Sequence, residues 1–129
     1  MRAIDTNIVV RFITRDDESQ ARRARTALAS EDLFLSTSVA LETEWVLRSG
    51  YGFRREAIAE ALDMLAGLPS LTFEAPSALA QAIGWFRSGM DFADALHLAS
   101  ADGCEAMLSF DAKLAKAAKR LGTIPVVAP

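Results

Sequence analysis

Apolar and polar positions follow two rhythms along this chain, one with the period of a helix and one of short continuous runs. Met1 to Ile4 form a brief apolar start that ends on Asp5-Thr6-Asn7, a turn-forming cluster, and residues 8–13 resume an apolar stripe broken by Arg11. Residues 17–29 are rich in Ala, Arg and Gln with the acids first, as a helix N-terminus prefers. Leu33-Phe34-Leu35 predict a buried strand, and residues 39–47 a helix capped by Ser36-Thr37-Ser38 and stopped by Gly50-Tyr51-Gly52. Residues 54–68 are amphipathic, with Ile58, Leu62 and Leu65 on one face and Arg55, Glu56 and Glu60 elsewhere. Pro69 ends that helix, Leu71-Thr72-Phe73 make a short strand, and Pro76 opens a helix running through Phe86. After the Gly89-Met90-Asp91 turn, the pattern predicts a helix over 92–101, a strand over 106–110, a helix over 111–121 and a strand over 124–127. Strands alternating with helices predict an α/β fold with a mainly parallel central sheet flanked by helices.

Length and charge narrow the picture. At 129 residues the expectation is one domain spanning 1–129, without repeats or linkers. Fourteen basic and 17 acidic residues give a net charge of −3, which excludes a protein that coats nucleic acid by bulk charge. The single cysteine, Cys104, cannot form an internal disulfide and reads as a buried small hydrophobe in a reducing compartment. Asp5, Arg11 and Arg15 interrupt any signal peptide, and no run reaches the ~20 apolar residues of a membrane helix. A cytoplasmic protein with no membrane contact is expected.

The acids are then informative by position. Asp5 follows the first strand and Asp111 follows the run Met107-Leu108-Ser109-Phe110, while Glu42, Asp91 and Asp94 fall near predicted helix starts. In an open parallel sheet these positions border the edge where ligands bind, so the carboxylates are expected to meet at one rim. Two unit charges ~4 Å apart repel by about 4 kcal/mol at an effective dielectric of 20, and folding stability is only about 5–15 kcal/mol. Such a cluster calls for a hard divalent cation with oxygen ligands, Mg²⁺ or Mn²⁺, of the kind that serves phosphate chemistry. Each acid also has a plain structural use: an Asx-turn at Asp5, helix caps at Asp91 and Asp111, a solvated face for Glu42 and Glu44. Residues two apart on a helix point about 200° apart, so only one of Glu42 and Glu44 faces any given side. Asp91 and Asp94 share a face.

Four segments in order resemble the PIN-domain ribonucleases, and specifically a VapC-type toxin of a toxin–antitoxin pair. They are Ile4-Asp5-Thr6-Asn7, Leu41-Glu42-Thr43-Glu44-Trp45-Val46-Leu47, Asp91-Phe92-Ala93-Asp94-Ala95-Leu96 and Ser109-Phe110-Asp111. The resemblance implies a metal-dependent endoribonuclease with Asp5, Glu42, Asp94 and Asp111 as catalytic and Mg²⁺- or Mn²⁺-binding residues. It selects Glu42 over Glu44 and makes Asp91, Asn7 and Ser109 accessory, with Ser109 standing where a threonine is usual. It also implies an RNA substrate, a cognate antitoxin protein and a homodimer. With four acids neutralised by a cation, 14 basic and 13 acidic groups remain, so the net charge no longer excludes RNA.

Other residues have plainer expectations. His97, the only histidine, reads as packing or as support behind the site, and the arginines of residues 11–25 as a solvated face or as phosphate contacts. Trp45, Phe53, Trp85 and Phe86 read as core or interface. A haloacid-dehalogenase phosphatase needs an aspartate where Asn7 stands, and a receiver domain needs paired acids ahead of its acceptor. A non-catalytic module with an acidic pocket is the remaining alternative.

Overall fold

Residues Met1–Pro129 are described by a computed structural model, in which the chain divides into two compact units, Met1–Pro76 and Ser77–Pro129. The first unit begins with β1 (Arg2–Ala3), followed by α1 (Thr6–Thr14) and α2 (Glu18–Ser30). Next come β2 (Leu33–Leu35), α3 (Thr37–Tyr51), α4 (Arg55–Ala66) and β3 (Leu71–Phe73). The strands lie in the order β1-β2-β3, all parallel, with Arg2 opposite Leu33 and Leu33 opposite Leu71. Each parallel neighbour is reached through a pair of helices, the crossover such a sheet requires.

Local chemistry sets the element ends. Asp17 opens α2, its side chain accepting the Gln20 N–H at 3.0 Å, and Ser36 opens α3 by accepting the Val39 N–H at 3.2 Å. Gly52 closes α3 with φ 69°, a left-handed conformation that glycine adopts without a Cβ penalty. Arg15 closes α1 in the same region, at φ 57°. Val9, Val10, Ala21, Ala24, Leu28, Leu33, Leu35, Leu47, Ile58, Leu62 and Leu65 are among the buried apolar residues of this unit.

The second unit contains α5 (Pro76–Arg87, whose first residue ends the preceding unit), α6 (Phe92–Ser100), β4 (Met107–Leu108), α7 (Ala112–Leu121) and β5 (Val126–Val127). Pro76 takes the first helical position, where its missing N–H is no loss. Phe86 and Phe92 meet edge to face with ring centroids 5.3 Å apart. β4 and β5 pair in parallel, Met107 opposite Val126 and Leu108 opposite Val127.

The α/β class and the parallel pairing are as expected. The sheet differs in extent: instead of one central sheet there is a three-stranded ladder and a separate two-stranded one. The strand expected over 106–110 shrinks to two residues, and Leu108 and Phe110 remain 66% and 86% exposed. Cys104 is exposed, not buried: it follows the Asp102-Gly103 turn, and its N–H bonds back to the Ala101 carbonyl at 2.9 Å in a surface connection. No helix is long and apolar enough to cross a membrane.

Candidate functional site

In the first unit, Asp5 occupies the N-cap position of α1 with extended backbone (φ −89°, ψ 164°), yet its side chain accepts no capping hydrogen bond. The Asx-turn reading therefore fails, and an exposed carboxylate is left free where β1 hands over to α1. The next residue, Thr6, is buried with a hydroxyl that finds no partner. An unpartnered buried hydroxyl costs about 1–3 kcal/mol, so this point carries local tension. Asn7 is exposed on the first turn of α1.

α3 turns its two glutamates to different surroundings. Ala40, Thr43, Glu44 and Leu47 form its buried stripe, and Glu44, only 2% exposed, accepts from Arg48 Nε at 2.7 Å. Glu44 is thus committed to a structural ion pair, and Glu42 is left exposed on the helix.

In the second unit, both helix starts carry aspartates. Asp91 caps α6, its Oδ2 accepting the Asp94 N–H at 3.1 Å. Asp111 caps α7, its Oδ1 accepting the N–H groups of Lys113 at 2.9 Å and Leu114 at 3.1 Å. The Asp111 N–H in turn donates to Ser109 Oγ at 3.0 Å, so Ser109 fixes the backbone from which Asp111 projects. Asp94 is partly buried, and its pKa lies above the ordinary aspartate value. Burial is the main cause, followed by repulsion from Asp91 and Asp111, with His97 partly opposing the rise. His97 itself is exposed on α6, which corrects the packing expectation, and it acts on Asp94 electrostatically.

None of Asp91, Asp94 and Asp111 forms an ion pair with a lysine or arginine. Carboxylate oxygens that repel one another and lack a protein cation are a donor set suited to a hard divalent ion. As the side chains stand, no three acids, histidines or cysteines gather closely enough to enclose one. Asp5, Asn7 and Glu42 belong to the first unit and Asp91, Asp94, Ser109 and Asp111 to the second.

Two features escaped the sequence pattern. The stranded hydroxyl of Thr6 leaves no trace, because Asp-Thr-Asn reads as a turn whichever way its side chains point. The inward turn of Glu44 did leave one, in the i, i+3, i+4, i+7 stripe it shares with Ala40, Thr43 and Leu47. Of the aromatic residues, Phe86 is buried and Trp45 is 56% exposed.

A comparison with curated proteins finds no match. The model of the PIN domain matches residues 3–120, a stretch that takes in every candidate acid from Asp5 to Asp111. The chain therefore belongs to the PIN domain family, whose members are typically metal-dependent nucleases.

Proposed function

We propose that this protein is an endoribonuclease dependent on Mg²⁺ or Mn²⁺, acting as the toxin of a toxin–antitoxin pair in the cytoplasm. The observation that carries the nuclease reading is Asp94: burial and two neighbouring carboxylates disfavour its charge, and no lysine or arginine pairs with it. Asp5, Glu42, Asp94 and Asp111 are the residues assigned to hold the ion. A bound divalent ion supplies Lewis-acid stabilisation of the phosphate and a more acidic water.

The residues divide the remaining work. Asp5 keeps both oxygens free of capping bonds, and Asp111 spends only Oδ1 on its helix. Ser109 and Asp91 act as positioning residues, one through the Asp111 N–H and the other through the Asp94 N–H. Glu42 is assigned to orient the attacking water. Asn7, two residues on from Asp5, is assigned to the substrate phosphate. The toxin role, the antitoxin and a homodimer rest on the ordered motifs, and exposed Trp45, Met64 and Phe110 offer apolar surface of the kind protein contacts cover.

The test is hydrolysis of purified RNA with and without Mg²⁺ or Mn²⁺. Asp5→Asn and Asp94→Asn are expected to lower the rate by about 100-fold or more. Full activity of either variant in a nuclease-free preparation, or cleavage unaffected by chelator, overturns the assignment.

A further inference from the structure

A cleft of about 740 Å³ runs between α1 and α2 in the first unit. Arg2, Arg11, Arg22, Arg23, Asn7 and Glu31 are among the residues that line it, and its walls hold no other charged side chain. Four arginines against one glutamate make the lining +3, in a chain whose net charge is −3. Positive charge is therefore concentrated here and not spread evenly.

The arginines are not equivalent. Arg2 is tied to Glu31, through Nε at 2.7 Å and through Nη2. Arg11 is held by Gln20 at 2.8 Å, Asp16 at 3.1 Å and the Tyr51 hydroxyl at 3.2 Å, so its position is fixed from three sides. The guanidinium groups of Arg22 and Arg23 form no hydrogen bond or ion pair within the chain. They are exposed neighbours with all their donors available. A guanidinium fork matches phosphate oxygens in a bidentate fashion. The only apolar linings are Ile8, Ala24 and Ala27, too little to seat the hydrophobic face of a partner helix. Asn7, which is part of the lining, is two residues from Asp5.

We infer that this cleft docks the sugar–phosphate backbone of a single RNA strand, gripped by Arg22 and Arg23 and led past Asn7 toward Asp5. The choice of RNA rests on the nuclease reading above; the cleft, its charge and its free donors do not. Binding here is independent of base identity, because backbone contacts position a strand without reading its sequence.

The experiment measures binding of a short fluorescent oligouridylate to the whole protein in chelator, where no cleavage occurs, over a range of salt. The double variant Arg22→Ala/Arg23→Ala is expected to weaken binding about tenfold and to reduce the salt slope by about 1.4, from two lost contacts at about 0.7 each on single strands. Arg22→Lys/Arg23→Lys should keep most of that slope, and unchanged melting of both variants excludes misfolding. Unchanged affinity and slope in the alanine variant overturn the inference even if the parent cleaves RNA. Displacement of the RNA by oligoglutamate at lower concentration than by unlabelled RNA also overturns it, since the cleft would then suit an acidic peptide. A parent that binds RNA through these arginines but never cleaves it sustains the inference and removes the nuclease reading instead.

Discussion

Asp5 in the first unit and Asp111 in the second occupy the same architectural station: each follows a short parallel strand and each stands at the N-cap of the helix that comes next. Asp111 uses that station structurally, with one oxygen accepting two backbone N–H groups, and Ser109 steadies its backbone. Asp5 does none of this. Its carboxylate is free, and the hydroxyl beside it is buried without a partner. The difference separates two kinds of candidate acid, one that the fold would miss and one that it would not. A carboxylate held at a cap position with no cap to make is better explained by a ligand than by the helix it precedes.

The same division runs through α3, and there it yields the largest expected effect on stability. Arg48→Leu strands the buried Glu44 carboxylate, while Glu42 has no such dependence. Leaving a buried charged acceptor unsatisfied costs more than the ~1–3 kcal/mol of a neutral one, but the Arg48 side chain is 51% exposed and water can enter its place. A loss of about 2 kcal/mol by urea denaturation is expected. Glu42→Gln should stay within about 0.5 kcal/mol of the parent, as surface substitutions do. Equal losses at the two positions would erase the distinction between the glutamates.

The caps come next. Asp111→Ala should cost about 1 kcal/mol, the usual loss of an N-cap, and Asp111→Asn should recover most of it because asparagine caps as well as aspartate. Asp5→Ala should cost nothing measurable, since no hydrogen bond to its side chain is lost. Denaturation curves for the three variants give the comparison directly. If Asp5→Ala is as damaging as Asp111→Ala, the free carboxylate is structural after all.

Much of this was legible in the residues. The stripe Ile58, Leu62, Leu65 marked α4, Ser36 marked the start of α3, and Gly52 its end, each through a local rule that packing then obeyed. The acids at strand ends and first turns were legible as positions. Which acids do structural duty was not, because Asp caps helices and binds cations with the same oxygens. The strand at 106–110 is shorter than its pattern predicts for a related reason: an apolar run such as Met107 to Phe110 sets strand propensity but not the number of paired residues, and Leu108 and Phe110 stay exposed. Cys104 is exposed although its residue type favours burial, because its neighbours Asp102, Gly103 and Glu105 make a surface turn. Arg15 at φ 57° had no warning, since a left-handed arginine follows from the join between α1 and α2 and not from its own preference.

The smallest effect has the most diagnostic sign. Asp94 has a folded-state pKa above its ordinary value, so the folded protein holds that proton more tightly than the unfolded chain. Stability from this group is present below the ordinary aspartate pKa and is lost as pH rises through the raised one. At neutral pH the Asp94 carboxylate is therefore a burden on the metal-free protein, though a small one, because the group is only partly buried and water still screens it. Asp94→Asn should raise the melting temperature slightly at pH 7 in chelator, and the gain should vanish on acidification below the ordinary aspartate value. Adding Mg²⁺ should reverse the order, because an ion that binds only the folded parent stabilises it by mass action while the variant loses part of its donor set. Asp5→Asn should show the second effect without the first, having no cap bond to lose and no role in the Asp91–Asp94–Asp111 repulsion. A variant at Asp94 that is destabilised in chelator, or equally responsive to Mg²⁺, would show that the repulsion among these acids is not what the cation relieves.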